Sequence, residues 1–309
     1  MSHVKKLITH NLIAPPKWLN ANLMFEGITG SVSYGVCDDS SDFDIVGFCI
    51  PPKEMIFPHL SGNIIGFGDK PETFEQYQQH HVIVKEWRKE FDITIYGITK
   101  FFQLCMENNP NMVDALFLPR HCITHSTEIY EHVRSQRKLF LHKGSWHKFR
   151  GYAYSQLSKI KNQTNASNPK RAAAIEKFGF DTKFAYHVIR LLLQVEQILT
   201  EGNLELDRNA KVLRSVRDGE WSLERINDWF DSQEKNLNVL YATSTLQHHS
   251  NQNQIKQILL ECLEMHYGSL DKCVNIETDA QDVLIAMQTV IDKFTSKTHD
   301  EFTTTGKST

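Results

Sequence analysis

A Gly-Ser pair followed, after ten intervening residues, by a strand-like Asp-Phe-Asp-Ile constrains this chain most: Gly30-Ser31, then Asp42-Phe43-Asp44-Ile45. In an extended strand, residues two apart point to the same face. Asp42 and Asp44 therefore project together, while Phe43 and Ile45 turn to the core. Neighbouring carboxylates repel unless a cation lies between them. Hard cations such as Mg²⁺ are held by one or two carboxylates together with substrate phosphates. A Gly-Ser turn nearby lets backbone N–H groups approach a phosphate. The run predicts a metal-dependent nucleotide site. The plainer reading, acids on the wet face of a half-exposed sheet, leaves the like-charged pair without a counter-ion.

A two-carboxylate site often needs a third acid, as a base or to hold a second metal. Asp92, in Glu90-Phe91-Asp92-Ile93-Thr94-Ile95-Tyr96, is the best candidate. Alternation puts Phe91, Ile93 and Ile95 on one face and Asp92, Thr94 and Tyr96 on the other. The two strands can then lie side by side with their acids on a common face. Glu90 shares the face of Asp92 and is the fallback, and either acid alone is equally ordinary on a wet sheet face.

The chain has 309 residues, enough for two domains, with 40% hydrophobic and 23% charged residues, as in globular proteins. A formal net charge of −3 excludes a strongly basic nucleic-acid binder, so any such contact needs a local patch. No apolar run is long enough to span a membrane, and the N-terminus lacks the pattern of a signal peptide. Cys37, Cys49, Cys105, Cys122, Cys262 and Cys273 form no CxxC pair, which suggests free thiols in a reducing cytoplasm. His121, Cys122 and His125 are loosely ligand-like but lack the further partners that a zinc site requires.

Strand signals lie over Asn22–Ile28, Asp42–Ile50, His81–Trp87 and Glu90–Tyr96, and a short helix is expected to open at the Gly30–Val36 turn. Ser61–Pro71 reads as a loop, and Thr99 starts an apolar helix that ends before Asn108-Asn109-Pro110. From Ser126 the pattern is almost all helix: Lys148–Ile160, Lys183–Leu199, Leu223–Leu240, Ile255–Tyr267 and Asp279–Phe294, followed by a polar tail. The expected class is α+β. A small mixed β-sheet domain with flanking helices occupies residues 1–125, and an all-α domain occupies 126–309 and closes the site.

Other site chemistries fail on the residues. A calcium loop from Asp42 would need Asp or Asn where Val46 stands and Glu where Lys53 stands. No P-loop and no G-x-S-x-G nucleophile elbow occurs.

The Gly-Ser to Asp-Phe-Asp spacing resembles the signature of the DNA polymerase beta-like nucleotidyltransferase superfamily. The longer text is similar to the branch typified by the RNA-repair-associated RlaP proteins. The similarity rests on Gly30-Ser31-Val32-Ser33-Tyr34-Gly35, Ser41-Asp42-Phe43-Asp44, Asn109-Pro110-Asn111, Gly151–Leu157 and Lys177–Leu192. It implies transfer of a nucleoside monophosphate from an NTP, with ATP favoured, to an acceptor hydroxyl on RNA, tRNA or protein, with release of pyrophosphate. By the same resemblance, Asp42 and Asp44 hold Mg²⁺ or Mn²⁺, Asp92 binds the catalytic metal and helps deprotonate the acceptor, and Gly30 and Ser31 contact phosphates.

Lys183, His187 and Arg190 recur at four and three residues and share one helix face. Their combined charge can meet the triphosphate, or they form a solvated edge beside an apolar stripe. Tyr34 either stacks on a base or packs beside the turn. A catalytically weak nucleotide-binding or antitoxin-like protein is the alternative from another class. A minor third reading, an RNA-cleaving HEPN-like module, rests on Arg120 with His125 and Arg137 with His142.

Overall fold

The computed structural model describes residues 2–37, 42–162 and 169–274, with isolated positions 284, 287, 288 and 291. Most of the helix expected over Asp279–Phe294, and the polar tail after it, lie outside the described residues. Residues 1–268 form one compact unit, and 269–309 are grouped apart. Everything below concerns the first unit.

Five strands build a mixed sheet: β1 (Leu23–Thr29), β2 (Phe43–Cys49), β3 (Gln76–Val84), β4 (Lys89–Gly97) and β5 (Ile123–Ser126), in the order β3-β4-β2-β1-β5. β2 and β4 run parallel at its centre, and the other neighbours are antiparallel. The α+β class expected from the sequence is what forms. β3 starts earlier than its apolar pattern indicates, because Gln76–Gln79 is an edge segment with little to bury, and Lys85–Trp87 is a 3₁₀ turn rather than strand. β5 was not anticipated, being only four residues long.

One face of the sheet packs Ile28, Ile45, Phe91, Ile93 and Ile95 against Val4 and Leu7 of α1 (His3–Thr9). α1 is pinned at its start by the buried Glu26 carboxylate, which accepts from the Ser2 hydroxyl, the His3 and Val4 amides and the Thr124 hydroxyl. α2 (Lys53–Ile56) is a single turn. On the opposite face Phe25 stacks on Tyr130 at 4.0 Å, and Phe48 packs against Phe101. Those partners come from α3 (Ile98–Met106) and α5 (Glu128–Ser135), and α4 (Pro110–Leu116) lies between them in sequence.

The helical half comprises α6 (Ser145–Asn162), α7 (Pro169–Phe178), α8 (Thr182–Glu201), α9 (Ala210–Arg217), α10 (Leu223–Thr243) and α11 (Gln252–Tyr267). α8 packs against α6, α9 and α10 and buries Val188, Leu191, Leu192, Val195 and Leu199 of its apolar stripe. Its start is set by Asp181, whose carboxylate caps the Lys183 amide and pairs with Arg171. Among the described residues, no helix is long and apolar enough to cross a membrane.

Candidate active site

Strand parity and register bring the acids together. In β4, Phe91, Ile93 and Ile95 are buried while Asp92, Thr94 and Tyr96 are half-buried on the other face. β2 and β4 pair in parallel with Asp44 opposite Asp92 and Phe43 opposite Phe91. Ile45 is buried and Phe43 packs at the margin of the same core. Asp44 therefore faces the helical side next to Asp92. Lost hydration raises the Asp44 carboxyl above its ordinary range, and the charges of Asp92 and Asp42 push it further up. Lys183 and His80 oppose that rise. Asp44 opens to solvent, so the hydration it loses is lost to neighbouring protein in a concave site rather than to deep burial.

A β-bulge supports Asp92 from the sheet edge. The β3–β4 register shifts between Gln79 and Val82, and His81 takes a left-handed φ of 56°. This places the His81 amide 2.8 Å from Asp92 Oδ1, to which it donates, and His80 Nδ1 3.4 Å from the same oxygen. The His81 ring meets Glu90 at 2.5 Å, a bond that raises its pKa. Among the described residues, His81, Glu90 and Asp92 form a group whose ligand atoms lie within 4.8 Å of one another. Glu90, the fallback acid, is thus committed to His81. Asp42 is exposed and borders residues 38–41, which are outside the described set.

The Gly30–Val36 segment is a run of turns and not the expected helix opening. Its backbone is held by side chains instead: Ser33 Oγ donates to Gly30 O at 2.9 Å, Arg214 to Gly35 O and Arg217 to Val36 O, both at 2.8 Å. Gly30 has φ 69°, and a Cβ there would stand 2.2 Å from Asp44 Oδ2. Only glycine admits both that backbone and that approach. Tyr34 is buried beside the turn, with its hydroxyl bonded to Asp114.

These elements enclose a cavity of about 300 Å³. The sheet contributes Asp44, Asp92, Thr94 and Tyr96, and the turn contributes Gly30 and Tyr34. His80, Asn111 and Asp114 border it, with His187 and Arg190 from α8. Of the expected residues, Gly30, Asp44, Asp92, His187 and Arg190 line the cavity. Ser31, Asp42 and Lys183 stand outside its lining, although Lys183 is close enough to act on Asp44 electrostatically.

The three residues of the shared cationic face sit in different surroundings. Arg190 is buried and already bound: its Nη1 donates to Asp114 Oδ2 at 2.5 Å, to the Tyr34 hydroxyl at 2.8 Å and to Gln194 Oε1 at 3.1 Å. His187 adds no charge. Desolvation first, then the positive fields of Arg190, Lys183, Arg217 and Arg171, hold it well below its ordinary 6.5. Asp114 escaped the sequence reading. Its one signal is a lone acid in the apolar run Met112-Val113-Asp114-Ala115-Leu116, just after the quoted Asn109-Pro110-Asn111.

A neutral His187 should make the protein less stable at acid pH. Its folded pKa lies below the unfolded value, so the unfolded chain takes up the proton first. The associated stability is full above the ordinary histidine range and is lost as pH falls through it. His3, His125, His142 and His266 shift in the same direction. Thermal melts should show a falling Tm from about pH 7.5 to about pH 6, above the carboxylate range, and His187→Gln should flatten that slope. A Tm constant over this interval would contradict the assignment.

The ribonuclease-like pairs do not converge. Arg120 pairs with Glu131, and His125 bonds Leu23 O on the sheet. Arg137 donates to Arg134 O, while His142 is buried against Met106 O. His125 bonds the sheet backbone and Cys122 is buried in the core.

A glycine turn against two parallel strands with facing carboxylates, covered by helices, fits a polymerase beta-like nucleotidyltransferase. The model of the RlaP family, described as an RNA repair pathway DNA polymerase beta family, matches residues 4–258, and the chain belongs to that family. No curated protein matches the chain. A nucleotidyltransferase-like protein from Exiguobacterium sibiricum 255-15 is similar at 10% identity, covering 95% of this chain and 90% of its own, with a TM-score of 0.28. That likeness is too loose to define the site.

Proposed function

We propose that this protein is a metal-dependent nucleotidyltransferase that moves a nucleoside monophosphate from an NTP, ATP favoured, to an acceptor hydroxyl on RNA or protein. The observation that carries the reading is the in-register pairing of Asp44 with Asp92 beside Gly30, in a cavity walled by His187 and Arg190.

The donor set fits a divalent cation. Asp44 is driven towards protonation by lost water and by two like charges, a cost that a bound Mg²⁺ or Mn²⁺ would reverse. Asp44 and Asp92, with Asp42 beside them, would hold it. When bound, the metal would stabilise the attacking and leaving oxygens of an in-line displacement. Residues 1–125 supply this face, and the helices from 126 onward cover it.

The protein's own groups account for the remaining steps. Gly30 leaves room for the Asp44 carboxylate to stand against the turn, and Arg190 and Lys183 offset the negative charge of the phosphates. The acceptor oxygen attacks the α-phosphorus, forming one P–O bond as the bond to the departing pyrophosphate breaks. Asp92, with Oδ1 held by His81, takes the acceptor's proton at Oδ2.

Incubation with each labelled NTP, Mg²⁺ or Mn²⁺, and pooled RNA or protein tests this. Label should pass to one pool with release of pyrophosphate. Tight nucleotide binding without transfer to any pool would replace the enzyme with a binding module.

A further inference from the structure

The cavity wall contains a buried polar network that the sequence reading did not assign. Asp114 on α4 is enclosed, and each of its oxygens is used. Oδ2 accepts from the Tyr34 hydroxyl and Arg190 Nη1, both at 2.5 Å, and Oδ1 accepts from Gln194 Nε2 at 2.9 Å. The Arg190 guanidinium also lies 4.5 Å from the centre of the Tyr34 ring. Three separate segments meet here: the Gly30 turn through Tyr34, α4 through Asp114, and α8 through Arg190 and Gln194.

One atom of the network stays unsatisfied. Arg190 Nε is buried and has no hydrogen-bond partner, although Arg190 itself is only 4% exposed and lines the cavity. Burying a guanidinium N–H without an acceptor is costly. Here Nη1 is fixed by three acceptors, so the side chain cannot swing to relieve it. A guanidinium held in this manner at a cavity wall suits an anionic oxygen that arrives with the ligand.

We infer that Asp114 is a positioning residue, which together with Tyr34 and Gln194 locks the Arg190 guanidinium at the cavity wall, where it meets a phosphate oxygen, and ties the Gly30 turn to the same geometry. This rests on the nucleotide reading above and names the device that sets its phosphate contact. A purely structural ion pair predicts something different. If Asp114 served only to neutralise Arg190, removing its charge would leave the cavity more positive and tighten anion binding.

Calorimetric titration of the full chain with inorganic tripolyphosphate and with Mg²⁺-ATP, below the melting range of every variant, separates the two. Asp114→Asn should weaken tripolyphosphate binding at least about tenfold, the worth of one charge-assisted hydrogen bond. Tyr34→Phe keeps the ring over Arg190 and removes only the hydroxyl. It should weaken binding about threefold, and it carries the test if Asp114→Asn does not fold. In an Arg190→Gln background, Asp114→Asn should add no further loss, a non-additivity that a merely structural role would not produce in the dissociation constant. Wild-type binding with unchanged or tighter binding by both variants overturns the positioning role and leaves the nucleotide reading standing. Wild-type protein that binds neither probe overturns both.

Discussion

Asp44→Asn should lower nucleotidyl transfer by ~10²–10³-fold or more while the melting temperature stays level or rises. The substitution keeps the shape of the side chain and removes its charge. That charge is strained in the folded protein, with water lost around it and Asp92 and Asp42 on the same side. Neutralising it relieves repulsion, so the fold does not suffer. The same change deletes an anionic ligand at the point where a divalent cation and a triphosphate would meet, so activity does. Transfer assays and thermal melts on one preparation measure both. Transfer at the wild-type rate would remove Asp44 from the chemistry, and a large drop in Tm would recast it as a structural acid.

Gly30→Val should cost transfer on the order of 10²-fold and also destabilise the protein, by ~1–3 kcal/mol. The left-handed φ of 69° strains any β-branched residue, and its Cβ would fall 2.2 Å from Asp44 Oδ2. The turn cannot shift to make room, since Ser33, Arg214 and Arg217 hold its carbonyls. The carboxylate must therefore move, and displacement of a reacting group by about 1 Å is enough for a loss of this size. Gly30→Val and Asp44→Asn thus share the loss of activity and differ in the sign of the stability change. Wild-type transfer by Gly30→Val would show that Asp44 has freedom the packing denies it.

The face of each acid was legible because strand parity is a local property. Phe91, Ile93 and Ile95 alternate with Asp92, Thr94 and Tyr96, and burial follows that alternation in β4. The order of elements was legible for the same reason: α8 and α10 follow apolar periodicities that the chain carries in itself. The turn after Gly30 was misread as a helix opening, because three side chains that hold its carbonyls include two from α9, some 180 residues away.

Lys183, His187 and Arg190 do lie at helical spacing, yet their fates differ. Arg190 is seven residues, about 10 Å, further along α8 than Lys183. At that depth α4 and the Tyr34 turn cover it, whereas Lys183 in the first turn stays exposed.

By itself, then, the sequence determined the α+β class, the phase of the strands and the chemical identity of the acids, because period, parity and side-chain type act between residues close in the chain. The tertiary structure alone decided that β2 and β4 pair in parallel with Asp44 opposite Asp92, that the His80-His81 bulge supports Asp92, and that Asp114 binds Arg190 across 76 residues. Register and buried ion pairs depend on which surfaces meet, and the free energy that selects them comes from desolvation and packing between segments far apart in the chain.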